Sequence, residues 1–137
     1  MHELYQGQLL QLAKLARQTN ALSLPSHRAV LNNPICGDTV TIEATVEDEQ
    51  ITDVHLIVRG CALCEAGAGA WSKAAIGNST DHLKNLSYEM SAYLQHENPA
   101  PNENVTCFEP VKNIKNRIKC VLLAFEAGEK LTPILPD

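Results

Sequence analysis

Two neighbouring segments of the chain alternate between apolar and polar side chains, and this pattern predicts a β-hairpin. In residues 39–47 the apolar side chains that share one face are Val40, Ile42, Ala44 and Val46. A polar stretch, residues 47–50, leads to a second alternating segment with Val54, Leu56 and Val58. Two such segments joined by a short polar turn are typical of antiparallel strands.

Four helices are predicted around the hairpin. Residues 3–18 and the segment that follows Ser79 have apolar side chains at helical spacing, and residues 62–76 consist mainly of small side chains that allow close packing. The last helix is predicted over residues 110–128, with Gly128 ending it. The apolar positions are Leu9, Leu12, Ala13 and Ala16 in the first helix, Leu83, Leu86, Met90 and Leu94 in the third, and Ile114, Ile118, Val121, Leu122 and Phe125 in the last.

The remaining segments are predicted to be connections. Residues 20–34 and 96–106 are rich in turn-forming residues, and residues 131–137 are predicted to be a tail. The fold class that follows is α+β, a small antiparallel β-sheet with helices packed on one face. With 137 residues, the chain is expected to form a single domain over residues 1–137.

Length and charge also limit the classes of protein to which the chain can belong. The net charge is −5 and the pI about 5.5, so a nucleic-acid-binding protein is not expected. No apolar run reaches the roughly 18 residues of a transmembrane helix. The first residues lack the basic start and apolar block of a signal peptide, which predicts a cytoplasmic protein without a membrane partner.

The chain has five cysteines, an odd number that a reducing cytosol would keep out of disulfides. The predicted hairpin leaves beside Cys36 and Asp38 and returns beside Cys61, so these three residues are expected at one end of the sheet. Thiolates and a carboxylate suit zinc or iron. Cys61 also begins a predicted helix, whose N-terminus favours a thiolate. The alternative is that these cysteines are small buried hydrophobic residues.

The other cysteines allow several interpretations. Cys61 and Cys64 form a CxxC pair, compatible with a redox pair or half a zinc knuckle, although Cys64 would equally face the core one turn into the helix. Cys120 lies at the edge of the apolar stripe of the last helix and fits a ligand or a buried thiol. Cys107 follows a Pro- and Asn-rich loop and is predicted to be a semi-exposed, incidental thiol.

A local excess of basic residues lies near Cys120. Such a run is usually a solvated helix surface, but it could also hold a thiolate-rich site or contact an acidic partner. The residues are Lys112, Lys115, Arg117 and Lys119.

Three short motifs together resemble a known family. They are Asn33-Pro34-Ile35-Cys36-Gly37-Asp38, then Gly60-Cys61-Ala62, then Arg117-Ile118-Lys119-Cys120. In this combination the chain resembles the iron–sulfur cluster assembly proteins of the NifU N-terminal/IscU type, most closely the SufU branch. The resemblance extends from the first helix to about residue 130.

The resemblance implies a site and a reaction. Zinc would be bound by Cys36, Asp38, Cys61 and Cys120. A cysteine desulfurase of the SufS/IscS type would bring a persulfide, and Cys36, displaced from the zinc, would be the catalytic group that accepts the sulfur. The resemblance also implies downstream iron–sulfur acceptor or assembly proteins as partners.

Further candidates lie around this site. Arg117 and Lys119 are candidates for stabilising the released thiolate, and Cys64 is a candidate extra thiol. Lys119 stands where IscU scaffolds have a histidine, and the segment between Gly77 and the last helix is SufU-like, which favours zinc-dependent sulfur transfer. A stretch similar to the chaperone motif of those scaffolds, residues 109–112, lies too far from Cys120.

Three alternatives stay open at this point. The chain could be a non-enzymatic scaffold on which a [2Fe–2S] cluster is built, so that iron replaces zinc as the metal. It could be a non-catalytic, zinc-stabilised interaction module with a closed site. A thiol-redox protein that uses Cys61 and Cys64 is the least favoured.

Overall fold

The computed structural model describes residues 3–35 and 37–134. The elements in chain order are α1 (Glu3–Arg17), β1 (His27–Asn32), β2 (Thr39–Glu47), β3 (Gln50–Arg59), α2 (Ala62–Ala75), α3 (Thr80–His96), a 3₁₀ segment (Glu103–Asn113), α4 (Lys115–Glu129) and β4 (Thr132–Pro133). The described strands form one antiparallel sheet in the order β3-β2-β1-β4, with helices packed on one face. The predicted α+β class is confirmed.

The predicted hairpin is strands β2 and β3. Asp48 and Glu49 connect them with φ angles of 52° and 66°, the left-handed values of a two-residue turn whose twist suits antiparallel strands. Val40, Ile42 and Ala44 point into the core as the alternation predicts. A register shift between Thr45 and Val46 interrupts this alternation, and Val46 is only half-buried.

Two strands lie where the sequence predicts a connector and a tail. Strand β1, His27–Asn32, falls inside the predicted connector 20–34, and the short strand β4 falls inside the predicted tail. Ala29 is the only fully buried residue of β1, so this strand has no apolar alternation to identify it. It is held by its ladder to β2, from His27 opposite Ala44 to Asn32 opposite Thr39.

The last helix begins later than its apolar pattern predicts. Residues 103–113 form the 3₁₀ segment, which contains Pro110, and α4 starts at Lys115. Proline lacks the N–H that an α-helix needs in its interior. Ile114 precedes α4 and is 40% exposed, so its predicted place on the buried face is wrong. Gly128 does not end the helix either, because α4 continues to Glu129.

Small residues of α2 bring three helices close together. A Cβ at Gly67 would meet the backbone carbonyl of Val121 in α4, and one at Gly69 would meet that of Leu12 in α1. Trp71 of the same helix is fully buried and lies against Gly128. Helix α2 therefore packs directly on the backbones of both neighbours, which fixes the position of its N-terminus relative to α4.

Across residues 3–35 and 37–134, the helices are all too short or too polar to cross a membrane.

Candidate metal centre

The loop between β1 and β2 places Asp38 at the end of the sheet. The backbone N–H of Asn33 donates to the carbonyl of Asp38 at 2.8 Å, and the N–H of Gly37 donates to the carbonyl of Asn33 at 2.8 Å. The side-chain oxygen of Asn33 accepts from the N–H of Ile35 at 3.1 Å. Gly37 has a φ of 76°, a left-handed conformation that favours glycine. Residues 33–35 and 37–38 of the Asn-Pro-x-Cys-Gly-Asp motif are thus held in place by hydrogen bonds among themselves.

Cys61 reaches the same place from the other strand of the hairpin. Strands β2 and β3 pair Thr39 with Arg59, so the chain leaves β3 beside Asp38 and enters α2. Cys61 is the residue before the first turn of α2, with extended backbone angles and no side-chain hydrogen bond to that turn. Cys61 is half-buried and stands at the N-terminus of the helix, where the first N–H groups have no partner within the helix.

Cys120 completes a group of three from the opposite side. It lies in α4 and is 3% exposed. One ligand atom each from Asp38, Cys61 and Cys120 lies within 4.8 Å of the others, and among the described residues this is the group of three or more potential ligands whose spacing could hold a metal ion. Residues 38, 61 and 120 are thereby brought together from a loop, a strand–helix junction and the last helix.

The Asp38 carboxylate is buried without full hydrogen bonding. Asp38 is 7% exposed, and its Oδ2 has no hydrogen-bond partner among the described residues. A buried carboxylate oxygen without a partner is costly, so native proteins rarely leave one without a proton, a cation or a donor. An oxygen in this state beside two thiols fits a position that binds a cation.

Arg117 is the basic residue whose pKa is shifted by the thiols. A hydrogen bond to Cys120 is the main reason why the pKa of the Arg117 guanidinium is raised, and Cys61 adds to it. Arg117 and Cys120 are three positions apart in α4 and so share a helix face. The exposed guanidinium therefore interacts electrostatically with the thiols of the three-residue group.

Lys119 has other neighbours. It lines a cavity of about 270 Å³ together with Asn33, Pro34 and residues of α3, and its charge acts on Glu126 in the next turns of α4. Adjacent helix positions do not face each other, which explains why Lys119 and Cys120 point to different places. The spacing along the helix is thus a signal that distinguishes Arg117 from Lys119.

Lys112 is also engaged away from the thiols. Its Nζ lies 3.2 Å from Glu109 and 4.4 Å from the centre of the Tyr93 ring. The hydroxyl of Tyr93 donates to Glu109 at 2.6 Å, which joins α3 to the 3₁₀ segment. The basic run near Cys120 is therefore not one continuous surface.

The thiol of Cys120 is protonated at neutral pH when no cation is bound. Burial is the main cause that raises its pKa to about 12, and the neighbouring Cys61 and Asp38 add to the effect. Binding of a metal would release this proton, because a cysteine coordinates as a thiolate.

The remaining cysteines are placed as follows. Cys36 lies outside the described residues. Cys64 is fully buried in the core and is not a member of the group formed by Asp38, Cys61 and Cys120.

Cys107 is 1% exposed, so the prediction of a semi-exposed thiol is wrong. The 3₁₀ segment turns Cys107 inward, its sulfur donates to the carbonyl of Asn104 at 3.6 Å, and burial raises its pKa to about 11.

Comparison with known proteins agrees with this architecture. A family model described as the NifU-like N terminal domain matches residues 4–114. The chain is 32% identical over 100 residues to the "Iron-sulfur cluster assembly scaffold protein IscU" of Streptococcus pyogenes serotype M1. The matched region covers 71% of this chain and 63% of that protein. The chain thus spans less than two thirds of the length of that relative.

Two further proteins are similar. The "Zinc-dependent sulfurtransferase SufU" of Bacillus subtilis (strain 168) is 24% identical over 103 residues, which covers 73% of this chain and 70% of that protein. The crystal structure of a nitrogen-fixing NifU-like protein (N-terminal) from Brucella abortus superposes with a TM-score of 0.80 at 30% identity and covers 89% of this chain and 87% of that one. Since the family model matches most of the sequence, this chain belongs to the family of NifU-like N-terminal domains.

Proposed function

We propose that this chain is an iron–sulfur cluster assembly protein that accepts sulfur from a cysteine desulfurase at a zinc site. The observation that carries the proposal is the group of Asp38, Cys61 and Cys120, whose ligand atoms lie within 4.8 Å of one another. The names of the streptococcal and Bacillus relatives support the cluster-assembly role and the zinc-dependent sulfur transfer, respectively.

The donor set fits zinc. Zinc takes four ligands in a tetrahedral site, with sulfur at about 2.3 Å and carboxylate oxygen at about 2.0–2.2 Å. Two thiols and the carboxylate with the unpartnered Oδ2 supply three of these donors. Cys36 lies two residues before Asp38 in the sequence, and we propose it as the fourth ligand.

The proposed reaction is a transfer of one sulfur atom. When bound, zinc would keep the cysteines deprotonated at neutral pH without redox chemistry of its own. The Cys36 thiolate attacks the outer sulfur of the persulfide on the desulfurase. A new S–S bond forms at Cys36, the bond between the two sulfurs of the desulfurase breaks, and the cysteine of the desulfurase leaves as a thiolate.

The neighbouring residues have separate tasks in this scheme. Asp38, Cys61 and Cys120 would hold the zinc. Arg117, whose pKa is raised by Cys120 and Cys61, provides a positive charge near the sulfur atoms while Cys36 is a free thiolate. Lys119, which faces the cavity beside Asn33 and Pro34, has no direct part.

The proposal is tested by incubating the protein with a cysteine desulfurase and cysteine. Wild type should stimulate the desulfurase, and mass spectrometry should find one added sulfur on Cys36. Cys36→Ser should abolish both effects, whereas Cys107→Ser, at a buried thiol outside the group, should retain them. Undiminished stimulation by Cys36→Ser would overturn the mechanism.

A second candidate is a scaffold on which a [2Fe–2S] cluster is assembled as cargo. The name of the streptococcal relative favours it, and cysteine thiolates are the usual ligands of such clusters. Anaerobic reconstitution with iron and sulfide separates the two candidates. A stable cluster that passes to an acceptor protein supports the scaffold, and zinc that resists replacement supports sulfur transfer.

A further inference from the structure

Gly60 lies directly beside the carboxylate of Asp38. A Cβ atom at position 60 would stand 2.8 Å from both Cγ and Oδ1 of Asp38 and 3.2 Å from its Cβ. Carbon atoms in favourable contact are about 3.5–4.0 Å apart. A residue with a side chain therefore does not fit at position 60 while Asp38 keeps its position.

The strand register explains this close approach. Because β2 and β3 pair Thr39 with Arg59, Asp38 and Gly60 are the next opposed positions along the same ladder. Opposed residues of antiparallel strands point to the same face, with Cβ atoms about 4.5–5.5 Å apart. The side chain of Asp38 occupies the space that a side chain at position 60 would fill, and the next residue is Cys61.

Backbone conformation does not account for a glycine here. Among the described glycines, Gly37 and Gly77 have positive φ angles, and Gly60 does not. An alanine at position 60 would thus meet no backbone restriction from φ. What the position requires is the missing Cβ.

We infer that Gly60 is a positioning residue of the metal centre, because the absence of its side chain lets the Asp38 carboxylate lie against β3 and reach the two thiols. The inference rests on the proposed function, in which Asp38 is a metal ligand. A side chain at position 60 displaces the carboxylate from Cys61 and Cys120, although residue 60 contributes no ligand atom itself.

A double-mutant cycle tests the inference. Zinc affinity is measured by competition with a chromogenic chelator for wild type, Gly60→Ala, Asp38→Ala and the double variant. We expect Gly60→Ala to weaken zinc binding about 10- to 100-fold, the usual range for residues that orient a ligand. In the Asp38→Ala background the same substitution should change little, because Cγ and Oδ1 of Asp38 are then absent.

A matched control and a measurement without metal complete the test. Gly7→Ala, at a position with nothing within 4 Å, should bind zinc like wild type. Urea unfolding of the metal-free proteins should show a loss of stability in Gly60→Ala that disappears in the Asp38→Ala background.

The outcomes distinguish this inference from the proposed function. Wild type that binds no zinc would overturn both. Zinc binding by wild type together with unchanged binding by Gly60→Ala would overturn the inference alone. Equal losses of affinity in the two backgrounds would also overturn it, since the effect of Gly60 would then not pass through Asp38.

Discussion

Arg117 and Lys119 are two positions apart in the sequence but have different surroundings. Both are candidates for stabilising a thiolate when only the sequence is considered. In the structure Cys120 and Cys61 raise the pKa of Arg117, whereas Lys119 lines the cavity beside Asn33. The spacing of three residues in a helix contains this information, so the distinction could be predicted. The contact of Gly60 with Asp38 could not, because it depends on how two strand ends pair.

The burial of Cys107 predicts its reactivity. Its thiol is 1% exposed and burial raises its pKa to about 11, so at pH 8 it is both inaccessible and protonated. Native wild type and Cys107→Ser should show the same number of thiols that react rapidly with a disulfide reagent. After denaturation, wild type should show one more than the variant. A smaller number of rapid thiols in native Cys107→Ser would contradict the buried position.

The contact between Tyr93 and Glu109 predicts that the stability of the fold depends on pH in the acidic range. The hydrogen bond from Tyr93 is the main cause that lowers the pKa of Glu109 below its ordinary value of 4.5, and Lys112 adds to it. Because the pKa of Glu109 is lower in the folded state, its negative charge stabilises the fold above about pH 4.5. This stabilisation is lost as the pH falls through the pKa that Glu109 has in the folded protein.

Urea unfolding of wild type and Glu109→Gln at several pH values measures this effect. The variant should be less stable at pH 7, and the difference should shrink in acid. A difference that stays constant from pH 7 into acid would show that the charge of Glu109 does not contribute.

At the scale of elements, the strongly periodic segments could be predicted and the weakly periodic ones could not. Helix α1 and the hairpin follow from apolar spacing alone. Strand β1 buries fully only Ala29, so its pairing with β2 defines it rather than any pattern of its own. The 3₁₀ segment contains apolar residues that continue the spacing of α4, and Pro110 is the local signal that separates them.

The packing of α2 predicts an unusual response to alanine. Alanine normally favours a helix over glycine by about 1 kcal/mol. At Gly69, however, a Cβ would meet the backbone carbonyl of Leu12 in α1, so the helices would have to separate. We expect Gly69→Ala to lower the free energy of unfolding by about 1–3 kcal/mol.

The control for this prediction is Gly7→Ala in helix α1. That position has nothing within 4 Å, and the substitution should raise stability by about 0.4–1 kcal/mol. Chemical denaturation of both variants gives the comparison. A Gly69→Ala variant at least as stable as wild type would contradict the direct contact of α2 with the α1 backbone.

At the scale of the whole molecule, the fold brings together residues from three distant parts of the chain. The hairpin alone predicts that Asp38 and Cys61 meet, because its two ends must lie side by side. The approach of Cys120 depends on how α4 packs on α2, and spacing alone left it equally a ligand or a buried thiol. The resemblance to the family supplied that assignment, and the structure places the three within 4.8 Å. The cytoplasmic location stays a prediction.

The central claim is that these residues form a metal site, and the metal content of freshly purified protein tests it most directly. Elemental analysis of wild type should find about one zinc per chain. Asp38→Ala and Cys120→Ser should lose most of this zinc, and Cys107→Ser should keep it. Wild type purified without zinc or iron, or full metal content in Asp38→Ala and Cys120→Ser, would contradict the account.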